Sequence, residues 1–268
     1  MSEPAKGRKI RRSTPPLVLV IGFVATAFFV IPLIGLLSRT PWSRLGTVLT
    51  SEVVLEALGV SIVSSVLAAL LSLIFGAPLA WILARREFPG RSIVRAVVTL
   101  PMVLPPVVGG AALLFAFGRR GFAGPTLETA GLTLPFSLWG VVVANTFVAM
   151  PFLIVTVEGA LRSLDDRHEV AAASLGASEL TILRRVTFPL IAPALRAGVI
   201  LAWARALGEF GATVTFAGNL PGRTQTLPLA VFVALESDRD AAIAISLLLV
   251  IISVLVLVTF RDRWWSRT

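Results

Sequence analysis

The sequence predicts an all-α, polytopic membrane protein with six transmembrane helices. Of its 268 residues, 56% are hydrophobic, a share well above that of soluble domains, and the mean hydropathy is +0.89. Six mainly apolar stretches are close to the length of about 20 residues that crosses a bilayer as a helix. The net charge of +9 would also suit a nucleic-acid-binding protein, but the basic residues lie in loops and tails between apolar stretches, as in membrane proteins.

The first half of the chain begins with a basic tail at residues 1–16, which is too polar to enter lipid and is expected in the cytoplasm. The first span is predicted at residues 17–37. No small-residue cleavage site follows it, so we interpret it as a retained helix rather than a signal peptide. A mixed segment at residues 38–58 is consistent with an interfacial helix, and the second span is predicted at residues 59–83.

The third predicted span, residues 94–117, has an unusual sequence for a membrane helix. It contains three prolines between positions 101 and 106, and Gly109 and Gly110 follow them. Because proline lacks a backbone N–H, this run must interrupt the helical hydrogen bonds at membrane depth. Such a broken helix is tolerated where protein or a water-filled cavity covers it.

The second half of the chain holds three more predicted spans. The elements are an outer loop at 118–135, spans at 136–157, 190–210 and 241–260, and a cytoplasmic tail at 261–268. Residues 17–260 are therefore expected to form one transmembrane domain, which includes a polar cytoplasmic segment at residues 158–189. The excess of Lys and Arg on the loops of one side predicts that both termini are cytoplasmic.

The composition excludes several kinds of chemistry. There is no cysteine and only one histidine, His168, so disulfides, a cysteine nucleophile and a histidine-cluster metal site are ruled out. The predicted spans also lack a paired acid, nucleophile or metal set, which argues against an intramembrane enzyme. We therefore predict no catalytic residue, no metal and no cofactor bound by this chain, and we interpret His168 as a surface side chain.

The polar segment after the fourth span has the local chemistry of two short helices joined by a sharp corner. Asp166 and Glu169 are spaced as a capping box for the first helix. Gly176 suits the left-handed position after that helix, Ser178 suits the start of the second helix, and Pro189 is expected to end it. The small residues Ala171, Ala172 and Ala173 would let another protein approach the backbone, although ordinary helix packing would use them as well.

These residues are similar to the EAA loop of the membrane subunits of bacterial ABC importers. In that loop, Gly stands four residues after the second Ala and Pro thirteen after the Gly, as Ala172, Gly176 and Pro189 do here. The departure is Val170, which occupies the position of the usual Glu, with Glu169 one residue earlier. We refer to residues 158–189 as the coupling loop. By resemblance its site residues are Glu169, Ala171, Ala172, Gly176, Ala177 and Ser178.

The resemblance implies the ABC-importer permease (type I, MetI-like) fold and a set of partners. It implies a homodimer in the lipid bilayer, with the pathway at the two-fold interface. It also implies cytoplasmic ABC ATPase subunits that carry ATP-Mg and an extracytoplasmic binding protein. The chain contains no Gly-x-x-x-x-Gly-Lys-Ser/Thr phosphate loop, so we expect ATP hydrolysis on a separate subunit.

A second stretch, residues 203–230, resembles molybdate permeases. The family sequences ALGEFGAT and AGN-x-PG-x-TQT are matched at residues 206–213 and 217–226, and residues 100–121 also resemble this branch. Related sulfate permeases more often have Tyr and Glu where this chain has Phe210 and Gln225. The implied cargo is molybdate, with an extracytoplasmic molybdate-binding protein as partner.

The same stretch supplies candidates for the translocation path, each with a simpler alternative. Arg205 and Glu209 are one helical turn apart, and such charges in a span either face a cavity or neutralise each other. Gly208 and Gly211 would let backbone amides approach an anion, or would serve close helix packing. Asn145, in the fourth span, would contact cargo or make an interhelical hydrogen bond. The outer Arg119, Arg120 and Arg223 would attract an oxyanion, or are solvated loop charges.

Two functional alternatives stay open at this point. The first is a sulfate, thiosulfate or tungstate permease of the same class, which competition between labelled molybdate and excess sulfate would distinguish. The second is an ion-coupled secondary transporter, which needs carboxylates inside the membrane for coupling. Glu209 is the one carboxylate that falls within the predicted spans.

Overall fold

The computed structural model describes residues 15–265, apart from the side chains of residue 257 and residues 259–265. Most of the predicted N-terminal tail, and residues 266–268, lie outside the described residues. The described part of the chain is built from α-helices joined by short 3₁₀ and π-helical turns, without a β-strand. The prediction of an all-α membrane protein is confirmed.

The described part of the first half of the chain contains seven α-helices. They are α1 (Pro16–Ser38), α2 (Leu45–Leu49), α3 (Glu52–Leu71), α4 (Ala77–Arg85), α5 (Arg91–Thr99), α6 (Pro106–Phe117) and α7 (Gly124–Thr129). The second half contains the longest helices. They are α8 (Leu138–Ser163), α9 (Arg167–Ser174), α10 (Glu179–Ile182), α11 (Phe188–Leu207), α12 (Gly211–Phe216), α13 (Leu227–Ser237) and α14 (Arg239–Trp265).

Within the described residues, five helical segments are long and apolar enough to cross a membrane, and each overlaps one of the predicted spans. They are Pro16–Ser38, Glu52–Arg85, Leu138–Ser163, Glu179–Leu207 and Arg239–Val256. Several predicted ends were wrong because the helices continue into polar sequence. The second span starts at Glu52 rather than residue 59, and the fourth continues to Ser163 rather than ending at residue 157. The last helix continues to Trp265, beyond the predicted boundary at residue 260.

The third predicted span is a bent pair of helices rather than one straight helix. Arg91–Met102 and Pro106–Phe117 meet at an angle of 117°. Pro101 is the second residue of the short 3₁₀ turn Leu100–Met102 and Pro106 is the first residue of α6, and at these positions a missing N–H leaves no helical hydrogen bond unmade. The predicted interruption is confirmed, and the structure contains six spans if this bent pair is counted as one.

Two segments contain a single π-helical turn shortly before a proline. Ser72–Gly76 joins α3 to α4 and precedes Pro78, whereas Leu183–Thr187 joins α10 to α11 and precedes Pro189. The prediction that Pro189 ends the second short helix was wrong. A proline ring clashes with the carbonyl four residues earlier, and the wider π turn at that place lets the helix continue without a break. The fifth span therefore runs continuously from Glu179 to Leu207.

The long helix α8 forms the centre of the bundle. Its buried side chains include Val141, Leu153 and Leu161, which are 0% exposed. At one end of α8 they pack with residues of α3, α4 and α11, and near the other with α6 and α12. A separate cluster joins α2, α3, α13 and α14. We call the end of the bundle that holds Arg85, Glu158 and α9 the α9 end.

Candidate functional site

The corner between α9 and α10 has the geometry that its sequence predicts. Gly176 has a φ of +80°, a left-handed conformation that glycine adopts without a steric penalty. Its N–H donates to the Ala173 carbonyl at 2.9 Å, and the Ala177 N–H donates to the Ala172 carbonyl at 3.1 Å, which together form a Schellman motif. The Ser178 hydroxyl accepts from the Thr181 N–H at 3.4 Å at the start of α10. The predicted helix–corner–helix is confirmed.

The predicted capping box at Asp166 and Glu169 was wrong. Asp166 makes no capping bond, and Asp165 instead accepts from the Arg167 N–H at 3.0 Å. The reason is that the guanidinium of Arg85, at the end of α4, engages both predicted capping carboxylates. Arg85 donates from Nη1 to Asp166 Oδ1 at 2.6 Å and from Nη2 to Glu169 Oε1 at 3.0 Å.

Glu169 also binds the segment that follows the corner. Its Oε1 accepts from the Thr187 hydroxyl at 2.7 Å, in the π turn before α11. The side chain is 24% exposed, so it is directed mainly toward α4 and α11. Glu169 therefore fixes α9 to two spans, rather than standing free on the surface of the coupling loop.

The outer surface of the coupling loop is small and apolar. Leu175 is 90% exposed and Leu180 61%, which is unusual for leucines in a loop with so many charges. Ala171, Gly176 and Ser178 are exposed, and Ala172 and Ala177 are half-buried. Between this loop and α4 lies a groove of about 430 Å³, lined by residues that include Trp81, Arg86, Val170 and Ala173. The surface is shaped as a ridge beside a groove.

Arg205 and Glu209, the predicted charged pair, form an ion pair where α11 ends. Arg205 Nη1 lies 2.6 Å from Glu209 Oε2. The other carboxylate oxygen accepts from the Ala212 N–H at 2.9 Å, in the first turn of α12. The Glu209 side chain is 1% exposed and that of Arg205 is 30% exposed. The buried carboxylate is thus paired with one cation and one backbone donor, while part of the Arg205 side chain stays accessible.

The other predicted path residues lie close to this pair but have different surroundings. Gly208 is exposed, as a backbone that contacts an anion must be, and a Cβ added there would make only an ordinary contact of 3.7 Å with the Ala204 carbonyl oxygen. Gly211 is buried, and a Cβ added there would come within 2.9 Å of Pro106 Cβ. Asn145 is buried and joins three helices: it donates to the Ser64 hydroxyl at 3.2 Å and accepts from the Thr213 hydroxyl at 3.3 Å. Gly211 and Asn145 therefore have packing contacts that account for them.

The outer arginines are on the surface. Arg119 and Arg120 follow α6 and are exposed. Arg223 lines a cavity of about 470 Å³ together with Glu56 and Ser137. These three guanidinium groups are therefore accessible to ions from the surrounding water, and the Glu56 carboxylate partly offsets the positive charge beside Arg223.

One buried carboxylate was missed by the sequence analysis. Glu158 belongs to α8 because that helix continues beyond the predicted end of the span, and its side chain is only 7% exposed. It accepts from Arg95 Nη2 at 2.6 Å and lies 3.1 Å from Arg162 Nη2. The spacing of four residues between Glu158 and Arg162 was a signal for an exposed helical pair, but nothing in the sequence indicated the contact with Arg95.

Residues 76–267, more than half of the chain, match the family described as the inner membrane component of binding-protein-dependent transport systems. The chain belongs to this family. It is accordingly a multi-pass inner-membrane transport component and not an enzyme.

Relatives of this transport component include permeases named for molybdenum transport and for sulfate transport. The molybdenum transport system permease protein ModB of Mycobacterium tuberculosis is 44% identical over 230 residues, covering 85% of this chain and 86% of that protein. A probable molybdenum ABC transporter permease of Haloferax volcanii is 41% identical, covering 84% of this chain and 81% of that protein. The sulfate transport system permease protein CysT of Salmonella typhimurium is 36% identical and covers 84% of each chain.

A solved structure shares the fold of this transport component. The bacterial alginate ABC transporter, in complex with an alginate-bound periplasmic protein, contains a chain that aligns with a TM-score of 0.72. The alignment covers 94% of this chain and 96% of that chain, with 19% sequence identity. The predicted ABC-importer permease fold is confirmed.

Proposed function

We propose that this chain is the transmembrane subunit of an ATP-driven ABC importer that moves molybdate across the cytoplasmic membrane. The observation that carries the proposal is the 44% identity to molybdenum permeases over 85% of the chain. Residues 206–213 and 217–226 give the same assignment from the sequence alone. The cargo is a doubly charged tetrahedral oxyanion, so the path must offer positive groups and N–H donors while excluding cations.

The coupling loop is the proposed docking element for the ATPase. Leu175 and Leu180 offer apolar side chains to a partner, and the Schellman corner at Gly176 holds them on a rigid ridge. In this proposal the α9 end is cytoplasmic, both termini are cytoplasmic, and ATP-Mg is held by separate ATPase subunits. A difference in partner affinity between two states of the dimer would drive the alternation of access.

A homodimer supplies the path in this proposal, with a binding protein delivering molybdate from outside. The half-accessible guanidinium of Arg205, beside the exposed backbone of Gly208, supplies a positive group and an open backbone at one place. Because Glu209 is buried and paired with Arg205, its carboxylate is not itself open to an anion in the path. Arg205 is therefore the residue that we expect to contact cargo.

The decisive experiment is uptake by reconstituted complexes. The chain, its ATPase subunits and its binding protein would be placed in proteoliposomes, and labelled molybdate uptake would be measured with and without ATP. We expect uptake that requires ATP and binding protein and that does not respond to an ion gradient alone. Uptake driven by the gradient without ATP would instead identify a secondary transporter.

Sulfate is the second candidate cargo, since a sulfate permease is 36% identical over 84% of the chain. Excess sulfate or tungstate would be added to the same uptake experiment. Weak inhibition by sulfate is expected for a molybdate importer, and inhibition by sulfate equal to that by unlabelled molybdate would assign the chain to the sulfate branch.

A further inference from the structure

The C-terminal end of α4 lies at the α9 end of the bundle, among charged side chains from three other helices. We call this group of contacts the junction. The last carbonyls of α4 have no helical partner, and arginines of α5 satisfy them. Arg91 donates to the Leu83 carbonyl from Nε at 2.9 Å and from Nη2 at 2.6 Å, and Arg95 donates to the same carbonyl at 3.3 Å. Cations at a helix C-terminus are favourable, so α5 is held against the end of α4.

Arg95 extends this junction to α8. Its Nε and Nη2 donate to Glu158 Oε1 at 3.0 and 2.6 Å, so one guanidinium binds two different helices. Glu158 is 7% exposed, and a carboxylate this buried requires a paired cation. Arg162 also pairs with Glu158, but it lies on the same helix and is 47% exposed. Arg95 thus connects α5 to α8, whereas the pair between Arg162 and Glu158 lies within α8.

On its other side, the end of α4 holds the coupling loop. Arg85 binds Asp166 and Glu169, and Glu169 binds Thr187 in the π turn before α11. The last three residues of α4 are therefore connected to α9 through Arg85 and to α5 and α8 through the Leu83 carbonyl and Arg95. This contact chain runs independently of the covalent connections between α8, α9 and α11.

The far end of α5 leads to the proposed path. α5 enters the bend of 117°, and α6 leaves it at Pro106. Pro106 and Val107 pack so closely on Gly211 that a Cβ there would come within 2.9 Å of Pro106. Gly211 lies two residues after Glu209, whose carboxylate binds Arg205 and the α12 backbone. Because α6 packs closely on α12, a displacement of α5 would also move α6, α12 and the ion pair between Arg205 and Glu209.

We propose that Arg95 is a positioning residue through which the coupling loop controls the bent α5–α6 pair. The inference rests on the proposed function, because it assumes that a partner moves α9. Movement of α9 shifts the end of α4 through Arg85, Arg91 and Arg95 pass that shift to α5, and so to the packing of α6 on α12, and Arg95 sets the movement of α5 relative to α8 through Glu158. The side chain touches neither cargo nor nucleotide.

The test compares Arg95→Gln with Arg162→Gln in the reconstituted complex. Both variants remove one cation from Glu158, but only the first removes the bonds between α5 and α8 and weakens the contact of α5 with α4, which Arg91 still holds. We expect Arg95→Gln to lower the molybdate taken up per ATP hydrolysed at least threefold, with hydrolysis itself retained. Arg162→Gln should keep the wild-type ratio. Arg95→Lys, which keeps the charge without the planar fork, should restore part of it.

A second readout does not depend on the cargo. The natural chain has no cysteine, so an environment-sensitive fluorophore can be placed at Phe115→Cys alone, on the exposed face of α6. ATP binding should change its emission in the wild-type and Arg162→Gln backgrounds and much less in Arg95→Gln. If Arg95→Gln does not assemble, the double variant Arg95→Met/Glu158→Met removes both charges, and the same loss is expected.

The possible failures are distinct. Absence of ATP-driven molybdate uptake by the wild-type complex, with a normal fluorescence difference between the variants, would refute the cargo and leave the junction in place. If Arg95→Gln and Arg162→Gln gave the same molybdate uptake per ATP hydrolysed and the same fluorescence response, the proposed role of Arg95 would be refuted. The proposed importer function would not be affected by that result. The same comparison applies to Arg85→Gln, with the neighbouring Arg86→Gln as its matched control.

Discussion

Glu209 Oε2 lies 2.6 Å from Arg205 Nη1 at the break between two helices, and Glu209 Oε1 accepts the Ala212 N–H that begins the second of them. One side chain therefore neutralises a charge in the membrane and satisfies a free backbone donor. The bond to Ala212 depends on a short, non-helical connection, because a continuous helix would have no free N–H at Ala212. The break between α11 and α12 is accordingly built around this carboxylate.

Replacing Glu209 with Gln should destabilise the protein through the loss of charge alone. The amide oxygen can still accept from the Ala212 N–H, but Arg205 is left as an unpaired cation in a partly buried site. We expect a loss of about 3 kcal/mol in the free energy of unfolding, measured by thermal unfolding in detergent. The double variant Arg205→Met/Glu209→Gln should regain most of it, and a double variant as unstable as the single one would contradict this account.

Replacing Gly110 with Ala should disrupt the packing of α6 on α12. A Cβ at position 110 would lie 2.7 Å from the Ala212 carbonyl oxygen and 2.9 Å from its Cα, and backbone atoms cannot move aside as a side chain can. We expect a cost of about 1–3 kcal/mol and reduced transport. Gly22→Ala is the matched control, because nothing lies within 4 Å of the added methyl there. Equal stability of both variants would show that the contact between α6 and α12 is loose.

Replacing Leu175 with Ser should weaken the contact with the ATPase without changing the stability of the chain alone. Leu175 is 90% exposed, so the substitution removes little buried area within this chain. We expect a lower affinity for the ATPase subunits and a reduced rate of binding-protein-stimulated hydrolysis. Phe122→Ser, at a residue 97% exposed in the loop that follows α6, should leave both unchanged. A reduction by Phe122→Ser as large as that by Leu175→Ser would argue against α9 as the docking ridge.

Asp238, which connects α13 to α14, should contribute stability that is lost at low pH. Its pKa lies below the ordinary value mainly because it accepts the Ala241 N–H, and the nearby Arg44 guanidinium lowers it further. A depressed pKa means that the stabilisation is present above the unfolded-state pKa of about 4 and is lost as the pH falls through the folded-state pKa.

The measurement for Asp238 is the midpoint of thermal unfolding between pH 7 and pH 3. Asp238→Asn keeps an oxygen for the Ala241 N–H and removes the charge, so its midpoint should fall less below pH 4 than that of the wild type. Asp240, which also binds Arg44 at 2.8 Å, retains its contact in the variant. Parallel curves for the two proteins would show that the Asp238 charge does not contribute.

The predictions from sequence succeeded where local chemistry decides the structure. The apolar stretches predicted the five unbroken spans. The prolines near position 105 predicted the bend between α5 and α6, and Gly176 predicted the corner between α9 and α10. The helix ends were less predictable, since a helix can continue into polar residues such as the exposed Glu52 or Glu158, whose carboxylate is buried against Arg95 of another helix. Hydropathy locates the apolar part of a span, but it does not locate the polar turns at which the helix begins and ends.

The contacts between distant segments could not be predicted. Asp166 and Glu169 have the spacing of a cap, and only the position of Arg85, some 80 residues earlier, shows that they serve another purpose. The pairing of Glu158 with Arg95 likewise depends on how α5 folds back after α4. A single sequence carries no signal for such pairs, because each partner has a plausible local role.

The two π turns have a consequence for the angular setting of the residues beyond them. Each accommodates about one extra residue, and one residue corresponds to a rotation of about 100° around a helix axis. If the same residues of Ser72–Gly76 were wound as a regular α-helix, Arg85 would face a different side of its helix, and the same change at Leu183–Thr187 would turn the coupling loop relative to α11. These insertions thus act as angular spacers that bring α9 and its arginine partner into register.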